Sequence, residues 1–554
     1  MASPAPSPAN PTSQLRPWKE GCAAFLAYLL VALWWLWPLP EVWQTQSVDV
    51  GNPWDLTNAD FDLVTWILAW STHALTHAPF DLFDAPIFYP APNALAFSEH
   101  AIGYLPLFAP VYLWTDNPFL ATNLTLLATF PLCGTATFAW MRRFTTGLAA
   151  FAAGFVFAFC YLRYATLWHF HLLGTFWMPL VLLSSERFFD RARPGDAAIL
   201  GAVLSLQLLA SYYLAYAVTI LYLLYLPLAA WHWRAKLDRT RLLGWLLSCL
   251  VAASLFALAS LPYFALRSEG LLPDYSEGAW RFDKGWPAGT APGNLGWITL
   301  TIALLGALWP LRASSHARWV GITLFAGGIL FSLGPEPEIA GWYFATPYNI
   351  LTELVPGFET VRLPRRFLVI MQLGLATLAG LGVARLLGLS RPAWQTPLAL
   401  GLLLLLASDT LRLPALITHE KPDLQNLPTA YQHLASNADE GPLLELPLTK
   451  GTAETRRMLY GTTHWIPMYG GYSGYPPPRS QRFHRLVGAL PGRRPLKNLA
   501  QLTDLNWILV HLDELPAEQR ARWSGRLPPE LAEIVRTPEH VLVRFQPRPP
   551  DDEK

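Results

Sequence analysis

Charge is what this sequence has least of. Asp, Glu, Lys and Arg make up 14% of its 554 residues, against about a quarter in ordinary globular chains. That shortage excludes a conventional water-soluble surface and points into a bilayer. What charge there is nearly cancels, leaving a formal net of +1. A nucleic-acid binder carries a strong basic excess, so that partner class is excluded too. Cysteine is scarce: Cys22, Cys133, Cys160 and Cys249 all sit in apolar stretches and none forms a CxxC pair. Neither a zinc site nor a disulfide framework follows from that spacing, and the four read as packing residues. HExxH, Walker and GxSxG motifs are missing, as is any repeat of solenoid period. The glycines of "GGYSGYPPPR" (470–479) precede no helix with the required lysine, so this stretch reads as a rigid aromatic turn rather than a phosphate loop.

Apolar residues are abundant, at 53% of the chain, with 25 tryptophans. A membrane span needs roughly 20 mostly apolar residues. Stretches near 22–39, 118–140, 147–165, 172–188, 196–212, 213–231, 242–262, 296–311, 318–333, 367–388 and 396–413 qualify, about eleven in all by that criterion. The piece 101–114 is short and holds two prolines, so it reads as re-entrant or interfacial. With that piece not crossing, the basic clusters around Arg16, Arg142, Arg187, Arg234, Arg312 and Arg385 fall on one side, a consistent positive-inside pattern. The N-terminus is then cytoplasmic and the C-terminal region extracytoplasmic. The first span is too long, and too poorly supplied with a cleavage site, for a removed signal peptide. Residues 1–20, rich in Pro, Ser, Ala and Asn, read as a disordered tail. Residues 21–413 form the transmembrane part, with a large first outer loop at 40–117. Residues 414–554 carry strand-like runs ("GPLLELPL", "NWILVHL", "HVLVRF") and helix-like runs ("TAETRRMLYGTTHW", "PAEQRARWSGRL"), the pattern of a small α/β domain. The fold class is therefore mainly α, a polytopic helical bundle with a C-terminal α/β domain outside.

On this topology the outer face collects most of the unusual chemistry. The first loop holds Asp55, Asp60, Asp62, His73, His77, Asp81, Asp84, Glu99 and His100. Within it "LVTWILAWSTHALTH" has helical spacing, with Leu63, Trp66, Ile67 and Trp70 on one stripe. Such a helix is expected to lie along the membrane surface, its tryptophans at headgroup level. Asp60 and Asp62 near its start suit either helix capping or acid–base chemistry. "RYATLWHFHLL" adds Arg163, His169 and His171 on the same side, where a lone histidine would be an interfacial cap. "ETVRLPRRFLVI" places Arg362, Arg365 and Arg366 outside, against the charge rule. They suit bidentate phosphate contacts, plain headgroup binding or a salt bridge to Glu359. Tyr472 and Tyr475 suit either stacking on a sugar or packing beneath a loop. Asn123-Leu124-Thr125 matches a glycosylation acceptor but lies inside a span.

The stretches "DFDLVTWILAW … FDLFDAPIFYPAPNALAFSEH", "HFHLLGTFWMPLVLL", "VPGFETVRLPRRF" and "GGYSGYPPP" together resemble bacterial polytopic GT-C-fold glycosyltransferase-like membrane proteins. The resemblance covers roughly residues 20–510 and is most specific in the first outer loop. It implies a plasma-membrane enzyme using polyprenyl-phosphate or related lipid-linked sugar donors, with a glycan, lipid or protein acceptor. It also implies an acidic base near the start of the first outer loop. Asp60 matches that acid by its position before "WILAW", with Asp62 in reserve. Glu99 and His100 match the family's "SEH" stretch, His169 its histidine, and Arg362 and Arg366 its two arginines, whereas Arg365 and His171 fall at variable positions. Glycosyl transfer from a lipid phosphate needs a carboxylate to take the acceptor's proton and positive charge for the departing phosphate. Only one base is needed for direct, inverting attack. A divalent cation could be held by Asp60, Asp62 and Glu99, all hard oxygen ligands, though nothing in the sequence requires one. A non-catalytic lipid- or glycan-binding or transport protein, and a hydrolase of lipid phosphates using water as acceptor, are the competing readings.

Overall fold

The computed structural model describes residues 17–49, 56–272, 292–309, 314–339, 342–411, 417–438, 440–478 and 480–546. The first 16 residues of the expected tail, together with Asp55 and Arg312, lie outside the described residues. The rest is mainly helical, and each of the eleven expected spans contains a helix. By length and composition five helices suit a membrane crossing: Pro118–Met141, Gly147–Ala165, Tyr212–His232, Arg239–Ser268 and Pro364–Leu389. The other expected spans are shorter or less uniformly apolar. The doubtful 101–114 piece becomes the helix Leu105–Thr115. Its 11 residues rise about 16 Å at 1.5 Å each, short of the roughly 30 Å hydrocarbon core.

The centre of the bundle is the helix Leu368–Leu389, buried almost all round. It packs against Trp297–Leu308, Ser315–Ser332 and Gly147–Ala158. Small residues make that crowding possible. A Cβ placed on Gly382 would lie 1.9 Å from the Ile302 carbonyl oxygen, and one on Gly328 2.1 Å from the Met371 nitrogen. Helices in lipid gain little from apolar burial against each other, so close backbone approach through glycine supplies dispersion contact instead. In contrast, Arg239–Ser268 turns a row of leucines, among them Leu243, Leu247, Leu250 and Leu258, out of the bundle.

Charges gather at the two ends of the bundle. At one end Arg142 Nε bonds Glu20 at 2.8 Å, Arg143 Nε bonds the buried Glu186 at 2.7 Å, and Lys236 reaches Asp190 at 3.2 Å. Tryptophans at this level carry basic partners: Arg234 over Trp231 at 4.4 Å, Arg318 over Trp319 at 4.8 Å and Arg385 over Trp309 at 4.7 Å. These are residues of the basic clusters that the charge pattern puts inside. Asn123 is not a displayed acceptor. It is buried, and its amide donates to the Trp43 and Gln46 carbonyls at 2.8 and 2.7 Å, tying the first outer loop to the bundle.

The C-terminal segment returns to that loop. Strand Ile417–Glu420 pairs antiparallel with Gln46–Asp49, Gln46 opposite Glu420. Beyond it a four-stranded mixed sheet forms, in the order Leu443–Leu446, Trp507–His511, His540–Phe545, Leu531–Arg536. The first pair is parallel and the others are antiparallel. Alternation sorts its two faces. Leu443, Trp507, Leu509 and Leu542 join the core of the bundle. Leu444, Ile508, Val510, Val541 and Val543 form a second core. The sheet is thus packed onto the bundle and shares its core.

Between the two layers runs the helix Leu56–His77. Its expected stripe of Leu63, Trp66, Ile67 and Trp70 is buried, but not in the way the surface-helix reading requires. The tryptophans lie under the C-terminal segment rather than among lipid headgroups. Trp465 packs on Trp66 at 6.3 Å, on Trp70 at 5.4 Å and on His73 at 4.7 Å between ring centroids. The helix is a core element between bundle and sheet.

Candidate functional site

At the end of the bundle opposite the Glu20 and Glu186 ion pairs, a cavity of about 530 Å³ opens beside the start of this helix. One wall is polar, with Asp60, Glu99, His169, His171, Arg362 and Arg366. A largely apolar and aromatic part of the lining, Phe256, Ala257, Tyr263 and Phe264, comes from the Arg239–Ser268 helix. Residues from the first loop, the third-span exit, the segment before Leu368 and the C-terminal turn meet here.

Asp60 sits in the second turn of its helix, past the positions where a side chain caps the first amides. Its Oδ1 accepts from the Tyr472 hydroxyl at 2.9 Å, and its Oδ2 lies 3.7 Å from His169 Nε2. Burial lifts the Asp60 carboxyl above its ordinary value, against the opposing pull of Tyr472, Arg362 and Arg366. His169 is held neutral, pushed down to about 3 by burial and then by Arg366, Arg362 and Arg365. His171, half-buried beside it, is held well below its ordinary value by burial and by His169. The segment carrying both histidines is fixed by Arg163, whose guanidinium donates to the Leu173 carbonyl at 2.9 Å and to Thr129 at 2.8 Å.

Glu99 enters from the "SEH" turn. Tyr263 donates to the Ser98 carbonyl at 2.7 Å, and Ala101 adopts a left-handed φ of +50°. A non-glycine residue there is uncommon, and such conformations persist where the surroundings over-determine them. Burial pushes Glu99 up to about 7, with Ser211, Arg366, Tyr212 and Arg362 opposing. Its Oε2 is buried without a hydrogen-bond partner among the described residues.

The two arginines are pre-set by aromatics. Arg366 lies over the Tyr213 ring at 3.8 Å and Arg362 over Tyr475 at 5.5 Å. Their segment is anchored by its own apolar residues. Phe358 and Phe367 stack at 5.8 Å with ring planes 2° apart, and Val361 and Pro364 are buried beside them. Pro364 at the first position of the short turn fixes the entry into the helix. Gly357, at φ +81°, makes the preceding turn, where a Cβ would come within 2.8 Å of the Tyr216 hydroxyl.

Not every expected residue arrives. Asp62 points away from the cavity, and its Oδ1 lies 2.6 Å from Lys421 Nζ, the two side chains 5% and 1% exposed. Thr455 adds a 3.5 Å contact. Asp62 therefore holds the C-terminal segment to the first-loop helix. His100 is also withdrawn: its Nδ1 accepts from the Ile102 amide at 3.3 Å and its ring packs among Phe83, Tyr212 and Tyr263. Burial lowers it to about 4, which suits a neutral scaffold residue. With Asp62 committed to Lys421, the set Asp60, Asp62 and Glu99 does not fit a cation. Among the described residues no group of three or more His, Cys, Asp or Glu is placed to hold one. Two contributors escape the sequence reading. Arg267 lines the cavity and pairs with Glu359. The tyrosines of "SYYLAY" (211–216) form part of its wall. Each carried a signal: an arginine at the end of an apolar span, and paired tyrosines at the start of one.

One solved structure supports the expected GT-C-type fold. The chain aligns with the arabinofuranosyltransferase AftD from Mycobacteria at a TM-score of 0.59 and 14% identity, over 97% of this chain and 40% of that one. An oligosaccharyltransferase from Archaeoglobus fulgidus aligns at 0.46 and 10% identity, over 89% of this chain and 70% of that one. The chain spans about two fifths of the length of the arabinofuranosyltransferase it matches. No family model matches the chain, nor does any curated protein sequence.

Proposed function

We propose that this protein is a membrane glycosyltransferase. It moves a sugar from a polyprenyl-phosphate-type lipid donor to an acceptor hydroxyl on the extracytoplasmic face, with Asp60 as general base and with inversion at the anomeric carbon. The observation that carries this reading is one cavity joining Asp60, between Tyr472 and His169, to Arg362 and Arg366, each stacked on a tyrosine, with apolar residues in the same lining.

The acceptor oxygen attacks the anomeric carbon while its proton passes to Asp60, and the carbon–oxygen bond to phosphate breaks with its electron pair on the phosphate. A carboxylate whose pKa is raised is the stronger base. Tyr472 occupies Oδ1 and leaves Oδ2 for the incoming proton. The guanidiniums, held in place by Tyr213 and Tyr475, stabilise the departing phosphate without having to reorganise. The apolar flank of Phe256, Ala257 and Phe264 suits the first units of the lipid. Donor turnover by purified protein, with and without an acceptor sugar, tests the class. Sugar transfer that requires acceptor supports it. Release of free sugar alone would make the protein a hydrolase, and binding without turnover a carrier.

A further inference from the structure

The proposed transfer needs a seat for the attacking hydroxyl, and one lies beside Asp60; its assignment rests on the reading of Asp60 as the base of a glycosyltransferase. Oδ1 of Asp60 is taken by the Tyr472 hydroxyl at 2.9 Å. Oδ2 faces Nε2 of His169 across 3.7 Å. That separation is too long for a hydrogen bond between the two, since N–H···O distances run about 2.7–3.2 Å. Beyond this loose contact neither atom has a hydrogen-bond partner among the described residues. Both side chains line the cavity and stay open to it, Asp60 39% and His169 25% exposed. Two polar atoms aimed at each other and too far apart to bond leave a position between them for a third.

Aromatic packing fixes this gap. Phe61 follows Asp60 and Phe170 follows His169, and these two buried rings pack on each other at 6.2 Å between centroids. Tyr104 packs on Phe170 in turn at 4.9 Å, and its hydroxyl donates to the Phe170 and His171 carbonyls at 3.1 and 2.9 Å. Trp168 and His171 flank the His169 ring edge-on at 5.5 and 5.7 Å. The backbone behind each polar group is thus set by its apolar neighbours rather than by attraction across the gap.

We infer that the gap between Asp60 Oδ2 and His169 Nε2 seats the acceptor hydroxyl, and that His169 is the acceptor-binding residue that orients it. An oxygen placed there can lie about 2.8 Å from both atoms at once. Its proton points at Oδ2, and one of its lone pairs accepts from His169 in the tautomer that carries its proton on Nε2. The second lone pair is left to attack the anomeric carbon. As that bond forms, the O–H bond breaks and its proton goes to Oδ2, while the sugar–phosphate bond breaks with its electron pair on the phosphate. His169 forms and breaks no covalent bond; it fixes which lone pair attacks. Such orientation matters because a misplacement of about 1 Å can cost about 100-fold in rate.

The test measures initial rates with the full-length protein in lipid nanodiscs. Polyprenyl-phosphate-linked pentoses and hexoses serve as donors and octyl glycosides as acceptors, and sugar-free polyprenyl phosphate reports donor-site affinity separately. His169→Leu removes the polar contact and should lower kcat/KM for the acceptor about ten-fold or more, with polyprenyl phosphate affinity unchanged. His169→Gln, whose amide nitrogen reaches about as far as Nε2, should recover to within about three-fold of wild type. His169→Asn is one methylene shorter and should behave like His169→Leu, which keeps the test open if the leucine variant fails to fold. Unchanged acceptor kcat/KM in a folded His169→Leu, or equal values for the Gln and Asn variants, overturns the inference and leaves the transferase reading standing. So does weakened polyprenyl phosphate binding in place of an acceptor effect, which would put His169 on the donor. Wild type that transfers none of these sugars to any of the glycosides overturns the transferase reading itself, and this inference with it.

Discussion

Replacing Asp62 by alanine would leave the Lys421 ammonium buried with no counter-charge. The pair is 2.6 Å apart, and its side chains are 1% and 5% exposed, so water screens neither. Breaking a buried ion pair by removing one partner costs about 3–5 kcal/mol, whereas replacing both by apolar groups of similar size is close to neutral. Three variants separate these cases: Asp62→Ala, the double variant Asp62→Leu with Lys421→Met, and Asp60→Asn. Thermal unfolding in detergent can be followed by tryptophan fluorescence, since Trp66, Trp70 and Trp465 sit at the same junction. Limited proteolysis reports detachment of the C-terminal segment. The expected order places the double variant and Asp60→Asn near wild type and Asp62→Ala well below, with earlier proteolytic release of the C-terminal segment. An Asp62→Ala protein as stable as wild type would refute the account. So would a double variant as unstable as the single one.

Three further outcomes follow from the same structure. Arg366→Gln removes a charge-assisted contact worth about 1.5–3 kcal/mol, so donor binding should weaken about ten-fold or more; unchanged affinity in both Arg366→Gln and Arg362→Gln would reject their role. Glu99 has its pKa raised by burial from 4.5 to about 7, so the folded state holds a proton that the unfolded chain gives up. Its contribution to stability is full below pH 4.5 and is lost as pH rises through 7, about 3 kcal/mol in all; Glu99→Gln should flatten that slope, and a slope unchanged in the variant would contradict the assignment. Cysteine labelling from either side should find positions 230–240 and 530–540 on opposite faces of the membrane, and the same face for both would overturn the topology.

Much of the site was legible because polar residues stand out against an apolar chain. Asp60, Glu99, His169, Arg362 and Arg366 were visible as charges or imidazoles in a sequence short of both, and all five line one cavity. Asp62 was misread for a geometric reason. Two residues along a helix turn a side chain about 200° from its neighbour, so Asp60 and Asp62 cannot share a face. The partner that explains Asp62, Lys421, lies far along the chain and has no local signal. The tryptophans of the first-loop helix were expected among headgroups because amphipathic spacing says which face is apolar and not what covers it. The C-terminal strands Leu443–Leu446, Trp507–His511 and His540–Phe545 were readable as short, mostly apolar runs, as buried strands are. Leu531–Arg536 was missed because it is an edge strand whose exposed positions break the apolar run.

The central claim is that Asp60 takes the acceptor's proton, and Asp60→Asn tests it most directly. The substitution keeps size and the capacity to accept from Tyr472, and removes the basic oxygen. Single-turnover transfer should be measured with lipid donor and acceptor, after donor binding and unfolding temperature are shown to match wild type. Loss of a general base costs about 10²–10⁴-fold in rate, and that loss with intact fold and donor affinity is the predicted result. A folded, donor-binding Asp60→Asn protein that transfers sugar near the wild-type rate would contradict the account.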